Sequence, residues 1–344
     1  VMTNADIIEK SDILREYLVN YIPDFSSSIS LEKFDGGQSN PTYKVTCGEK
    51  SFVLRKQPPG KLLKSAHAVD REFKVLEALY HSNVPVAKPY HLCTDTNIIG
   101  EMFYLMEYCD GDIYWDAALK TISSNDQRTA MYDNMNQALA NIHRVDVNKV
   151  GLSDYGKPGN YFQRQLNRWI EQYKASELKP IPEMDTLYQW LEKNQPNDDG
   201  QIALVHGDYR LDNLIFKKGT SEIQAVLDWE LSTLGHPYSD LAYQCMQLRL
   251  PEGMGKIDGL GNKNRHQFGI PTEREYVSQY CQRMNIERID NWSFYLAFSF
   301  FRLAAICQGV AKRATQGNAS NKNAAQVGSF VKPLAQMAHH AINE

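Results

Sequence analysis

The chain has 344 residues, 42% hydrophobic and 23% charged, a balance that suits a large folded core and excludes a disordered or fibrous chain. The formal net charge of −4 gives no global basic field, so neither nucleic acid nor an acidic membrane is an expected partner. The six cysteines are scattered without a C-x-x-C pair, and no run of about 18 apolar residues stands out. A zinc site, a disulfide scaffold and a transmembrane helix are therefore not expected. The opening VMTNADIIEK lacks the basic and apolar regions of a signal peptide, and reduced thiols in a cytoplasmic protein are the expectation.

In chain order, residues 5–22 place Ile7, Ile8, Leu14, Leu18 and Ile22 at helical spacing before Pro23, which predicts a leading amphipathic helix. Residues 29–34, a turn through Asp35-Gly36-Gly37-Gln38-Ser39-Asn40-Pro41, and residues 42–46 read as strand, glycine turn, strand. Residues 51–56 form a third strand, whose alternation puts Val53 and Arg55 on one face and Leu54 and Lys56 on the other. After Pro58-Pro59-Gly60, residues 65–82 repeat Val69, Phe73 and Leu76 at helical spacing. Strands follow near residues 90–93 and 102–108, then a turn at Asp110-Gly111-Asp112.

Beyond residue 113 the pattern is helical. Helices are predicted over 125–145, over 161–173 with a stripe of Phe162, Leu166, Trp169 and Tyr173, and over 184–194. After Gly235-His236-Pro237, read as a turn, helices are expected at 238–248, 272–284, 290–314 and 321–342. Residues 251–269, rich in Gly, Lys and Asn, read as a mobile loop and a candidate substrate lid. The portion 294–306 is apolar almost all round, which predicts a central buried helix in which Arg302 is costly unless paired.

The chemistry concentrates between Leu204 and Glu230. Ala203, Leu204 and Val205 lead into His206-Gly207-Asp208, with Asn213 five residues after Asp208. Leu214-Ile215-Phe216 and the run from Ile223 to Leu227 read as two short strands, the second ending on Asp228-Trp229-Glu230. Asp208, Asn213 and Asp228 can then converge in one cleft. Phosphoryl transfer needs divalent metal to neutralise phosphate charge and a carboxylate near the attacking hydroxyl. Asp228 and Asn213 offer the hard oxygen ligands that Mg²⁺ prefers, and Asp208 would take the proton of an acceptor hydroxyl.

The pattern H-G-D-x-x-x-x-N followed by D-W-E resembles the H-R-D-x-x-x-x-N and D-F-G pair of protein kinases. With Gly207 in place of arginine, it is more similar to the aminoglycoside phosphotransferase and choline kinase branch. The segments FDGGQSNPTYKV, SFVLRKQPPGKLL, VLDWELSTLGHPYSDLAY and FYLAFSFFRLAAICQGVAKRA extend that likeness over most of the chain. More narrowly, it is similar to the kinase-like domain fused to acyl-CoA dehydrogenases.

The resemblance implies an α+β, two-lobed kinase-like fold. Residues 1–108 would be a nucleotide-binding lobe and residues 109–344 a catalytic and substrate lobe. It implies ATP, or another nucleoside triphosphate, with Mg²⁺ as cofactor. Gly36, Gly37, Ser39 and Asn40 would lie over the phosphates, where glycine permits close backbone approach. Arg55 takes the place of the phosphate-gripping lysine, in preference to Lys56, and Glu72, in preference to Glu77, would pair with it. The backbone near Glu107 and Cys109 would meet adenine. Asp240 is kept where the family has D-P-x-x-D-L-A, although His236 replaces the first Asp, and Asp240 would hold the catalytic loop through Arg210 or a backbone amide.

The expected activity is transfer of the terminal phosphate to a hydroxyl of a small molecule, with a hydroxyacyl-CoA or hydroxy acid as candidate acceptor. Arg249, Arg265, Arg302 and Arg313 are the candidate cations, and Arg302 would meet either the substrate anion or Asp240. A nucleotide-binding pseudokinase with a regulatory role is the alternative. A protein kinase is disfavoured, because no A-P-E element follows D-W-E.

Overall fold

The computed structural model describes residues 4–35, 40–60, 68–317 and 321–344. The N-terminal helix expected over 5–22 is two, α1 (Asn4–Glu9) and α2 (Ser11–Leu18). They break at Lys10, whose φ of −91° and ψ of 13° leave the helical region and whose Nζ donates to the Ile99 carbonyl.

Five strands follow: β1 (Ile29–Lys33), β2 (Thr42–Cys47), β3 (Lys50–Lys56), β4 (Pro89–Cys93) and β5 (Phe103–Glu107). They make one antiparallel sheet in the order β1-β2-β3-β5-β4. The period-two pleat sends Phe52 and Leu54 to one face, into a core with Leu14, Leu18, Tyr43, Val45 and Leu105. Val53 and Arg55 leave from the other face and line a cleft, with Glu72 of α3 (Val69–Leu79) beside them.

The rest is mainly helical: α4 (Asn125–His143), α5 (Tyr161–Ser176), α6 (Pro182–Lys193), α7 (Tyr238–Arg249), α8 (Glu273–Met284), α9 (Trp292–Thr315), α10 (Asn321–Gly328) and α11 (Val331–Ile342). The helix expected over 321–342 is thus interrupted at Ser329 and Phe330. By length and composition α9 is apolar enough to cross a membrane. In this fold it is the central core helix, packed against α5, α7, α10 and α11 with Phe294, Phe298, Phe300 and Phe301 buried. In α5, Ile170 takes the buried position expected for Trp169, which stays half-buried with its ring 5.8 Å from the Arg302 guanidinium.

The polar stretch is built on two small antiparallel ladders. β6 (Ala203–Val205) pairs with β9 (Thr233–Gly235), and β7 (Leu214–Phe216) pairs with β8 (Ile223–Val226). Sequence reasoning missed β9, because Gly235-His236-Pro237 reads as punctuation and three residues carry little alternation.

Residues 251–269 are not a free lid. Ile257 and Leu260 are buried, and the Asp258 amide and carbonyl bond the backbone of Trp115 and Ala117 at 2.8 Å each. One glycine permits close approach instead: a Cβ on Gly259 would collide with the Leu250 carbonyl.

Candidate active site

The loop after β6 is held from beneath by one carboxylate. Asp240, on the first turn of α7 and 1% exposed, accepts the His206 amide at 2.8 Å on Oδ2 and the Gly207 amide at 2.9 Å on Oδ1. His143 Nε2 of α4 lies 2.9 Å from the same Oδ2. Burial favours the neutral acid, but the neighbouring His143, His206 and the Gly207 amide more than offset it and hold the Asp240 carboxyl below its ordinary value. Of the two alternatives for Asp240, the backbone amides are its partners and Arg210 is not. Enclosed this way, it is closed to substrate.

Gly207 has φ +88°, and a Cβ there would stand 2.5 Å from the Leu231 carbonyl oxygen, so this turn requires glycine. His206 is fully buried, donates from Nε2 to the Leu227 carbonyl at 2.7 Å and accepts the Asp208 amide on Nδ1 at 3.1 Å. It thereby ties the H-G-D loop to the end of β8, one residue before Asp228.

The Asp208 carboxylate is oriented from both sides. Oδ1 accepts the Tyr243 hydroxyl at 2.6 Å and Arg210 Nη1 at 2.9 Å. Asn213 Nδ2 donates to the Asp208 carbonyl at 2.8 Å and to Oδ2 at 3.2 Å. Arg210 Nε also holds Asp212 at 2.6 Å. Tyr243 escaped the sequence reading. Its signal was its place three residues after Asp240 on α7, which puts both side chains on one helical face.

Opposite, Arg55 draws three carboxylates together. Nη1 lies 2.9 Å from Glu72 Oε1, and Nη2 lies 2.8 Å from Asp228 Oδ1 and 3.9 Å from Glu230 Oε2. Lys56, on the other face, meets Glu101 instead. Asp228 has φ +64° and ψ +63°, the left-handed region that a non-glycine residue rarely takes. Trp229 steadies that turn, donating from Nε1 to the Val226 carbonyl with its ring 4.7 Å from His206. Burial raises the Asp228 carboxyl, but Arg55 more than compensates and leaves it below the ordinary value. Glu72 is pushed up to about 7, first by burial and then by Asp228 and Glu230, against the pull of Arg55.

Three of the four residues expected over the phosphates, Gly36, Gly37 and Ser39, lie outside the described residues. Asn40 is buried, and its Nδ2 donates to Glu72 Oε2 at 3.1 Å, so it braces the Arg55–Glu72 pair. Glu107 and Cys109 line the cleft, and Glu107 Oε1 accepts the Lys88 amide. Burial and the Glu107 carboxylate push the Cys109 thiol up to about 12. All six cysteines are free thiols.

Arg302 is half-buried rather than enclosed, and its Nη2 donates to the Gly207 carbonyl at 2.9 Å. Its guanidinium lies 5.1 Å from the Tyr243 ring. Asp240 is therefore not its partner, and the carbonyl and rings remove the need for a buried anion. Arg249 is taken by Glu273 and Glu344, and Arg265 donates to the Pro271 carbonyl.

A cavity of about 360 Å³ is lined by Asp208, Asn213, Asp228, Arg55 and Glu72 together with the less polar Val53, Ala87, Met106 and Tyr108. Seven carboxylates, Asp35, Glu72, Glu107, Asp208, Asp212, Asp228 and Glu230, line it with three cations, Arg55, Arg210 and Lys256. This surplus of negative charge fits a divalent cation. Among the described residues, Asn213 Oδ1 and Asp228 Oδ2 have no protein donor. No cluster of three or more His, Cys, Asp or Glu side chains with metal-binding geometry occurs among the described residues. Any cation here would rest on the Asn–Asp pair completed by other oxygens. Arg55 Nε is buried without a hydrogen-bond partner among the described residues.

The acyl-CoA dehydrogenase family member 10 of Mus musculus is 47% identical over 328 residues, covering 95% of this chain and 30% of that protein. This chain thus spans about a third of that relative's length. A crystal structure from Ralstonia eutropha, provisionally named an aminoglycoside phosphotransferase, is 43% identical with a TM-score of 0.88, covering 96% of this chain and 98% of that one. A thermostable mutant of aminoglycoside phosphotransferase APH(4)-Ia, in ternary complex with AMP-PNP and hygromycin B, is 11% identical with a TM-score of 0.59. It covers 95% of this chain and 98% of its own and shares the two-lobed kinase-like fold. The description of the Phosphotransferase enzyme family matches residues 30–276, most of the sequence, and the chain belongs to that family.

Proposed function

We propose that the chain is a phosphotransferase that uses a nucleoside triphosphate, ATP in the first instance, to phosphorylate a hydroxyl group of a small molecule. The observation that carries this reading is the convergence of Asp208, Asn213 and Asp228 in one cavity, where Asp228 meets Arg55 of the Arg55–Glu72 pair. Residues 1–108 would hold the nucleotide and residues 109–344 the acceptor. Adenine would enter the slot beside Val53, Ala87 and Met106, with the Glu107–Cys109 backbone at its edge. The relative crystallised with AMP-PNP supports a nucleotide there. Arg55, with its unpartnered Nε, is the cation for the phosphates.

Asn213 and Asp228 would hold Mg²⁺, which when bound supplies charge neutralisation for the transferred phosphoryl group. Asp208 receives the proton of the acceptor hydroxyl on Oδ2. Oδ1 is already occupied by Tyr243 and Arg210, so those two residues fix which oxygen faces the hydroxyl. Asn213 restrains the same carboxylate from the metal side. Most of the catalysis in this reading is positioning and electrostatics, as phosphoryl transfer demands.

For the acceptor we propose a hydroxyacyl-CoA or a related hydroxy acid. Support comes from the relatives named as acyl-CoA dehydrogenase family members, of which this chain matches a part. The test is phosphate transfer from ATP, with Mg²⁺, to a panel of hydroxyacyl-CoAs, hydroxy acids, choline and aminoglycosides, read by phosphorus NMR. Turnover with the acyl compounds is expected. Turnover confined to the cationic compounds would overturn the acceptor assignment, and nucleotide binding without any transfer would leave a pseudokinase.

A further inference from the structure

The segment 251–269 does more than close the fold. Its backbone is tied to Trp115 through Asp258, and it delivers Lys256 to the same cavity that holds Asp208. Two large apolar side chains border that cavity and remain exposed, Ile113 at 39% and Trp115 at 55%. The neighbouring lysines are committed: Lys120 and Lys263 both meet Glu252 at 2.7 Å. Lys256 has no carboxylate partner among the described residues. Two carboxylates of this region are themselves engaged, Asp212 by Arg210 Nε at 2.6 Å and Asp258 by the Gly253 amide at 2.8 Å. An apolar shelf and an unneutralised cation thus stand together at the mouth of the catalytic cleft. The adenine slot does not require them, being lined by Val53, Ala87 and Met106.

We infer that Trp115, Ile113 and Lys256 form the acceptor subsite, and that the acceptor is amphiphilic. An apolar arm lies on Trp115 and Ile113 while a carboxylate or phosphate on the same molecule meets Lys256. The exposed rings and alkyl chains gain from covering, at little cost in ordering, because the Trp115 backbone is already fixed by Asp258. The cation gives an acidic end of the acceptor a local partner that a neutral or cationic acceptor would not use. This inference rests on the phosphotransferase reading for its site and deepens it by naming the acceptor's shape.

Binding, rather than turnover, tests it, so that the two can fail separately. Calorimetry of the full chain, loaded with a non-hydrolysable ATP analogue and Mg²⁺, is run with hydroxybutyrate, hydroxyhexanoate, hydroxyoctanoate and octanediol. Affinity is expected to rise with chain length by about fourfold per methylene covered. Trp115→Ala should flatten that dependence. Lys256→Ala should remove the preference for hydroxyoctanoate over octanediol, a change of about threefold to fivefold for an exposed ion pair. Affinity for the nucleotide analogue should stay the same in both variants. Chain-length dependence surviving Trp115→Ala, acid preference surviving Lys256→Ala, or a loss confined to nucleotide affinity would each overturn the subsite. Absence of phosphate transfer despite these binding results would overturn the enzymatic reading alone.

Discussion

Arg55 donates from Nη2 to Asp228 Oδ1 at 2.8 Å, so one guanidinium joins β3 to the D-W-E turn after β8. The same group holds Glu72, so sheet, helix and turn meet at a side chain that is only 4% exposed.

Arg55→Lys tests that junction. Lysine keeps the charge but lacks the planar fork, so it cannot hold Glu72 and Asp228 by separate nitrogens. Efficiency with ATP is expected to fall by about one to two orders of magnitude, through loss of preorganised charge. Steady-state kinetics at varied ATP check it, and wild-type kcat/KM in the variant would remove Arg55 from phosphate binding.

Asp228→Ala is expected to abolish the Mg²⁺ dependence of nucleotide binding while leaving the fold intact. Asp228 sits in a left-handed conformation, and alanine keeps the Cβ that strains it, so the substitution removes the carboxylate without relieving the backbone. Calorimetry with and without Mg²⁺ reads the difference. Unchanged affinity for Mg·ATP would sink the metal assignment.

Asp208→Asn preserves shape, and its amide still accepts a hydrogen bond from Tyr243. Nucleotide affinity should persist while turnover falls by about two to four orders of magnitude, the range for loss of a general base. Full activity would move the base elsewhere. Asp212 then becomes the nearest candidate, although Arg210 Nε engages it at 2.6 Å.

Much of this site was legible in the sequence, because its parts are local. Asp208 and Asn213 are five residues apart and their loop closes on itself, while β3 alternation decides between Arg55 and Lys56. The kinase-like fold was implied by the resemblance of the motifs, and the predicted strands before residue 108 and helices after it agree with the observed sheet and helices. What the sequence hid depends on long-range packing. The roles of His143 and Tyr243 are set by where α4 and α7 pass beneath the loop. Arg302 was misread because an apolar helix suggested full burial. Its position beside Trp169, Tyr243 and the Gly207 carbonyl exists only once α5, α7 and α9 are packed. The segment 251–269 looked mobile by composition, whereas two of its glycines, Gly259 and Gly269, serve tight backbone crossings.

Asp240 carries the last prediction, which concerns stability rather than catalysis. Its carboxylate accepts two buried backbone amides and faces His143, all without solvent access. Asp240→Ala strands those groups and should cost about 3–5 kcal/mol, the range for breaking a buried charged partnership. Asp240→Asn retains one acceptor oxygen and should cost less. The dependence on pH has a definite sign. The folded-state carboxyl lies below its ordinary value of 3.8, so the stability it contributes is present above pH 3.8. That stability is lost as pH falls through the depressed folded value. Urea denaturation of wild type and Asp240→Asn should therefore show a gap that is constant from neutral pH down to about 4 and shrinks on further acidification. A gap that stays constant into strong acid would mean that Asp240 acts through its shape and not its charge.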